Sequence, residues 1–171
     1  ICAADFDGDG DEDLVAGNFG LNSRLRATPA QPIKIYISDI DSNGSDDPII
    51  TYYNQGTSHP FITRDQLVKQ VPALKRKYVS YENYQHVAIG DLIAKDRPLM
   101  VKEVFTMATS YFENRNGVFI MRPLPITCQF SSVDALSVLD VDSNGTLDIA
   151  MAGNFDAVQP DIGRGDGSYG I

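Results

Sequence analysis

Residues 5–13 read Asp-Phe-Asp-Gly-Asp-Gly-Asp-Glu-Asp, and this acidic stretch predicts how the chain folds. Oxygen-bearing side chains stand at every second position, and Gly10 at the sixth position supplies the backbone freedom that a sharp turn needs. Six acidic side chains within nine residues repel one another strongly unless a cation neutralises them. Calcium accepts about six to eight hard oxygen ligands, so the stretch is predicted to be a calcium-binding loop.

The same spacing recurs twice, as Asp-Ile-Asp-Ser-Asn-Gly-Ser-Asp-Asp at residues 39–47 and as Asp-Val-Asp-Ser-Asn-Gly-Thr-Leu-Asp at residues 140–148. Three matches to one spacing in 171 residues form a specific signal, and they predict up to three calcium sites. The residues predicted to hold metal are Asp5, Asp7, Asp9, Asp11 and Asp13 in loop 1; Asp39, Asp41, Asn43, Ser45 and Asp47 in loop 2; and Asp140, Asp142, Asn144, Thr146 and Asp148 in loop 3.

The residues around these loops exclude an EF-hand. An EF-hand places a bidentate Glu at the twelfth position of its loop, whereas the twelfth positions here are Ala16, Ile50 and Met151. Residues 33–37 alternate apolar and polar side chains, and this period of two predicts strands on the flanks. The repeating unit is therefore predicted to be strand, calcium loop, strand, and the tetrapeptide Ala-Gly-Asn-Phe follows it in two of the three copies.

With these loops the chain resembles the FG-GAP or VCBS repeat of β-propellers, which is also found in integrin α-chain propellers. The resemblance rests on the three D-x-[DN]-x-[DN]-G-x-x-D loops and on the apolar strands that begin at Asp13 and Asp148. Residues 18–24 and 122–125 are also similar to segments of bacterial cell-envelope VCBS-repeat proteins. The resemblance implies a mainly β chain that forms a partial β-propeller, structural calcium, and a backbone carbonyl ligand at position seven of each loop.

The whole chain, residues 1–171, is predicted to form a single FG-GAP/VCBS-repeat domain that is a fragment of a larger propeller, with a mostly helical insertion at residues 54–98. Residues 63–66 fit a helix capping box, and Pro72 is expected to divide the helical stretch. Asn-Gly at residues 116–117 predicts a hairpin turn. Pro48 removes a backbone donor, which predicts an edge position for the strand after loop 2.

Composition excludes several classes of protein. Of the 23 acidic residues, 13 lie in the three loops, so the net charge of −9 reflects predicted metal ligands and does not indicate nucleic-acid binding. No stretch approaches the roughly 20 apolar residues that a membrane span requires. Cys2 and Cys128 could form a disulfide or stay as free thiols, and both alternatives are open.

The predicted function is that of a non-catalytic binding or adhesion module, which acts outside the cell, on its surface or in a periplasm. Its ligand would be a protein or a glycan. The alternative is part of a propeller-type polysaccharide lyase or hydrolase, but the two histidines and the absence of a G-x-S-x-G motif favour a binder. The Arg-Gly-Asp tripeptide at residues 164–166 is interpreted as incidental. An open arc of blades leaves unpaired strand edges, so the remaining blades of a larger protein or a second copy are the expected partners.

Overall fold

The computed structural model describes residues 1–94, 97, 99–156 and 165–171. Its contacts group the chain into two compact units: unit 1 comprises residues 1–24 and 107–171, and unit 2 comprises residues 25–106. Both are built mainly from antiparallel strands, which confirms the prediction of a mainly β chain. The strands are β1 (Cys2–Ala4), β2 (Asp13–Ala16), β3 (Ile33–Ser38), β4 (Asp47–Asn54), β5 (Thr57–Pro60), β6 (Met100–Val104), β7 (Ser110–Arg115), β8 (Val118–Pro123), β9 (Ala135–Leu139) and β10 (Asp148–Ala152).

Unit 1 contains a four-stranded sheet in the order β1-β2-β7-β8 and a two-stranded sheet of β9 and β10. Strand β7 pairs with β2 although all of unit 2 lies between them in the sequence. The predicted hairpin turn is confirmed, since it joins β7 to β8 with φ values of 54° at Asn116 and 87° at Gly117. The hairpin of β7 and β8 therefore completes a sheet that begins with the hairpin around loop 1.

The two Ala-Gly-Asn-Phe tetrapeptides of unit 1 bring two strand ends against one segment, residues 132–134. A Cβ atom at Gly17 would lie 2.4 Å from the carbonyl oxygen of Val133, and one at Gly153 would lie 2.5 Å from the amide nitrogen of Asp134. Such separations exclude any side chain larger than hydrogen unless the backbone moves. The repeated glycine is thus needed for close approach of one backbone to another.

Unit 2 has a four-stranded sheet in the order β5-β4-β3-β6, whose Ile49 packs against the helices. The predicted capping box is confirmed: Thr63 accepts a hydrogen bond from the Gln66 amide, and Gln66 accepts one from the Thr63 amide. Pro72 begins a separate 3-10 helix, as predicted. The helices are α1 (Arg64–Gln70), the 3-10 helix Pro72–Arg76, α2 (Tyr81–Tyr84) and α3 (Ile89–Leu92) in unit 2, and the 3-10 helix Ile126–Gln129 in unit 1. Lys95, Asp96 and Pro98 of the predicted insertion lie outside the described residues.

The predicted edge position of the strand that contains Pro48 is wrong. Strand β4 lies between β3 and β5, and Pro48 pairs with Ile37 of β3. Strand β5 pairs with β4 only from Thr51 onward, so Pro48 lies beyond the end of β5. The proline is tolerated in an interior strand because the neighbouring strand on that side is too short to reach it.

The structure also bears on the two cysteines, on membrane-spanning helices and on the Arg-Gly-Asp tripeptide. Cys2 is half-buried and Cys128 buried, and both are free thiols. Within the described ranges, no helix has the length and apolar character needed to cross a membrane. Arg164 lies outside the described residues, whereas Gly165 exchanges two backbone hydrogen bonds of 2.9 Å with Phe155.

Candidate metal centres in three hairpin loops

Each acidic loop connects two antiparallel strands in the same register. The aspartate at position nine of the loop pairs with the residue immediately before position one. This register brings the two ends of the loop together, so the predicted unit of strand, loop and strand is confirmed in all three places. The paired residues are Ala4 with Asp13, Ser38 with Asp47, and Leu139 with Asp148.

The carboxylates at positions one, three and nine converge in every loop. In each group, one oxygen atom from each of the three residues lies within 4.8 Å of the others. Three negative charges at that separation repel one another, and a cation between them removes the repulsion. The groups are Asp5, Asp7 and Asp13; Asp39, Asp41 and Asp47; and Asp140, Asp142 and Asp148.

Backbone conformation explains how a short loop folds in this way. Positions four and six have positive φ in all three loops, and the amide of position six donates a hydrogen bond to the carboxylate of position one. The hydrogen bonds measure 3.0 Å in loop 1 and 2.9 Å in loops 2 and 3. Ser42 and Ser143 adopt φ values of 66° and 58°, which residues other than glycine rarely adopt. The sixth position was predictable from its glycine, but serine at position four carried no such signal.

A hydrogen bond between positions five and seven stabilises each loop. The side-chain oxygen of position five accepts a hydrogen bond from the amide of position seven in every loop, at 2.8, 2.8 and 2.7 Å. The amide of position two donates to the carboxylate of position nine, at 3.2, 3.0 and 2.9 Å. The carboxylates of Asp9 and Asp11 are not part of the converged group of loop 1. The residues at positions five and seven are Asp9 and Asp11, Asn43 and Ser45, and Asn144 and Thr146.

The donor set fits a hard cation. The Oδ1 atom of Asp41 is buried and has no hydrogen-bond partner, which is costly for a charged oxygen unless a cation lies beside it. Partial desolvation of the Asp7 carboxylate in the loop, and after it the negative charges of Asp9, Asp13 and Asp5, raise its pKa, although the hydrogen bond from the Asp9 amide opposes this. Carboxylate and carbonyl oxygens are the ligands that calcium, magnesium and manganese prefer. The residues therefore fit the predicted class of metal.

Site 1 has an additional contact that the sequence did not reveal. Asp13 is fully buried, and it accepts hydrogen bonds from the Tyr111 hydroxyl (2.6 Å), the Asn114 amide (2.8 Å) and the Phe6 amide (3.2 Å). Burial alone would raise the pKa of Asp13, but these hydrogen bonds outweigh it and hold the pKa below its usual value. Asp13 is therefore kept as a carboxylate. Tyr111 is distant in the sequence and belongs to no motif, so local spacing could not identify it.

A hollow of about 180 Å³ in unit 2 is lined in part by tyrosines. Its walls include Tyr52, His59 and Tyr84. The Tyr84 hydroxyl donates a 2.6 Å hydrogen bond to the Ile62 carbonyl, and burial raises its pKa to about 12. The Tyr52 ring packs edge-to-face against Phe61 at 5.5 Å. Both tyrosines thus help to pack unit 2.

Comparisons with protein-family models, with curated proteins and with solved structures find no match for this chain.

Proposed function

We propose that this chain is a non-catalytic, calcium-binding repeat module of the FG-GAP/VCBS type, in which calcium has a structural role. The observation that carries the proposal is the recurrence of one geometry in three hairpins. Each hairpin combines three converged carboxylates with positive φ at positions four and six. An accidental acidic cluster would have no reason to repeat its backbone conformation and its hydrogen bonds three times.

Calcium is the preferred metal because of the type and number of oxygen donors. Bound calcium would neutralise the three carboxylates and so hold the end of one strand to the start of the next. Its coordination shell is flexible and accepts about six to eight oxygens, whereas magnesium demands a tight octahedron and retains several waters. The loops offer side-chain oxygens at positions one, three, five and nine, and by the family pattern a carbonyl at position seven. Sites of this kind fill only where calcium is abundant, and this favours a location outside the cell or in a periplasm.

We further propose that the sheets are blades of a partial β-propeller. Propeller blades are four-stranded antiparallel sheets, and both units contain one such sheet. The sheet of unit 1 follows the order β1-β2-β7-β8, whereas in unit 2 strand β6 returns to pair with β3. Edge strand β8 exposes Val118 (65%) and Phe119 (47%), which lie on opposite faces of the strand. Exposed apolar surface of this kind favours packing against further blades or a second copy.

The binding or adhesion role is preferred to the enzyme alternative, a polysaccharide lyase or hydrolase. General acid–base catalysis needs a group whose pKa lies near the working pH. Within the described part of the chain, the hollow of unit 2 is lined by His59 but by no carboxylate that could act with it. The Tyr84 hydroxyl there is already bonded to a carbonyl, and burial raises its pKa to about 12. The converged carboxylates are assigned to calcium. The polar side chains that line the hollow, Asn54, His59 and Gln85, suit contact with a glycan or a protein surface.

Calcium titration of the intact chain tests the metal assignment. Isothermal calorimetry is expected to show three calcium ions bound, with weaker binding of magnesium. Asp41→Ala is expected to abolish one site, because Asp41 belongs to the converged group of loop 2. Its Oδ1 has no hydrogen bond to lose, so the loop itself should be little disturbed.

Asp46→Ala is the matched control, since Asp46 is an exposed aspartate of the same loop at a non-ligand position. It should retain all three sites. Wild-type protein that binds no calcium would rule out the proposed metal function, and equal losses in the two variants would rule out the assignment of Asp41.

The assignment of ligand and non-ligand positions in loop 1 can be tested separately. Asp9→Ala is expected to weaken calcium binding more than Glu12→Ala, because Asp9 occupies position five and Glu12 the exposed position eight. Each substitution removes one negative charge from the same loop, so the general electrostatic loss is matched. Calcium titration of both variants measures the difference. Equal dissociation constants would contradict the proposed register.

A further inference from the structure

Side chains and backbone amides of the β7–β8 hairpin donate hydrogen bonds to loop 1. In addition to the two hydrogen bonds to Asp13 from Tyr111 and Asn114, the Asn114 side chain donates to the Glu12 carbonyl at 3.0 Å. The Asn116 amide donates to the Asp11 carboxylate at 3.2 Å. Positions seven, eight and nine of loop 1 are thus all bonded to a segment about 100 residues further along the chain.

The hydrogen bonds to Asp13 select which of its oxygens faces a metal. Each carboxylate oxygen has about two lone pairs. The Oδ2 atom accepts from the Tyr111 hydroxyl and from the Phe6 amide, so its lone pairs are occupied. The Oδ1 atom accepts from the Asn114 amide and retains one lone pair. The hairpin therefore leaves Asp13 with one oxygen available to a cation and holds the carboxylate in a fixed orientation.

Loops 2 and 3 provide an internal comparison. Asp47 and Asp148 also accept a hydrogen bond from position two, given by the Ile40 amide at 3.0 Å and the Val141 amide at 2.9 Å. Among the residues that the structure describes, the hydrogen bond from a tyrosine hydroxyl is seen at site 1, whereas at site 2 the Gln70 side chain interacts with Asp47. The Tyr111 ring also packs edge-to-face against Phe6 at 6.2 Å, and Phe6 is position two of loop 1. The hydroxyl and the ring of Tyr111 thus hold opposite ends of the same loop.

From this geometry we infer that Tyr111 is a positioning residue for metal site 1, and that it couples occupancy of the site to the order of the β7–β8 hairpin. The inference rests on the proposed function, since it assigns a role around one of the three calcium loops. Loss of a residue that orients a metal-binding carboxylate typically lowers the affinity for the metal about 10- to 100-fold. Metal binding at loop 1 should accordingly tie together two parts of unit 1 that unit 2 separates in the sequence.

The test compares Tyr111→Phe with Tyr84→Phe in the full chain. Each substitution removes one hydroxyl that donates a 2.6 Å hydrogen bond, but Tyr84 bonds a backbone carbonyl in unit 2 and lies in no loop. Both variants are titrated with calcium in a background that carries Asp41→Ala and Asp142→Ala, so that site 1 alone is measured. We expect Tyr111→Phe to weaken calcium binding about 10- to 100-fold and Tyr84→Phe to leave it unchanged.

Melting temperatures in EDTA and at one fixed, sub-saturating calcium concentration separate positioning from simple stabilisation. If Tyr111 positions the site, the rise in melting temperature at a fixed, sub-saturating calcium concentration shrinks in Tyr111→Phe. An equal loss of melting temperature with and without calcium, together with an unchanged dissociation constant, overturns the inference and leaves the proposed function intact. Wild-type protein without any calcium binding overturns both.

Discussion

Calcium is expected to raise the free energy of unfolding by about 2.7 kcal/mol for each loop when the ion is present at about 100 times its dissociation constant. Unit 1 contains loops 1 and 3, and unit 2 contains loop 2. Metal removal should therefore cost unit 1 about 5 kcal/mol and unit 2 about 3 kcal/mol by the same mass action. The reason is that the three carboxylates of each site converge only in the folded hairpin, so the ion binds the native state in preference to the unfolded chain.

Urea denaturation with calcium, with magnesium and with EDTA measures this effect. Loss of sites 1 and 3 together, through Asp7→Ala and Asp142→Ala, should remove more of the calcium-dependent stability than Asp41→Ala in loop 2. Asp46→Ala again serves as a control for a lost negative charge. A denaturation curve that is the same in EDTA and in calcium would show that structural calcium is wrong.

The loops were predictable from the sequence because their geometry depends on local spacing. Side-chain oxygens at alternate positions and glycine at position six lie within nine residues, and the register of each hairpin follows from the aspartate at position nine. The capping box at Thr63 and the Asn116-Gly117 turn are local as well. Such features depend on few residues, and no distant partner has to be known.

Contacts between distant segments were not predictable in this way. Nothing in the residues of β2 and β7 indicates that these strands pair across the whole of unit 2. The contact of Tyr111 with Asp13 depends on that pairing, so it was missed together with it. The edge prediction for Pro48 failed for a related reason, because the length of the neighbouring strand β5 decides whether a missing donor matters.

The repeated Ala-Gly-Asn-Phe tetrapeptide combines a local feature, which the sequence predicts, with a contact to a distant segment, which it does not. Its identity in the two copies was visible, but the segment that lies between them, residues 132–134, has no signal of its own. The amide of Val133 donates to the Asn18 carbonyl at 2.9 Å, and the amide of Asp134 donates to the Ala152 carbonyl at 3.0 Å. One short segment is thereby hydrogen-bonded to both tetrapeptides, which explains why the same residues occur after loop 1 and loop 3.

Gly17→Ala and Gly153→Ala are expected to destabilise unit 1 by about 1–3 kcal/mol each, the range for forcing extra atoms into a packed interior. The new methyl group would lie 2.4 Å from the Val133 carbonyl oxygen in the first variant and 2.5 Å from the Asp134 amide nitrogen in the second. Because backbone atoms are the obstacle, no side-chain rotation relieves the overlap. The segment must move away, and the hydrogen bonds that hold it are lost or lengthened. Urea denaturation in saturating calcium measures the change in the free energy of unfolding.

Gly90→Ala is the control with the same chemical change. Gly90 lies in α3, where a methyl group added at the Cβ position would meet no other atom within 4 Å. Alanine there restricts the unfolded chain and should stabilise the protein by about 0.4–1 kcal/mol. The opposite signs follow from one difference, the presence or absence of a neighbouring backbone. Wild-type stability in both Gly17→Ala and Gly153→Ala would mean that residues 132–134 do not pack between the tetrapeptides.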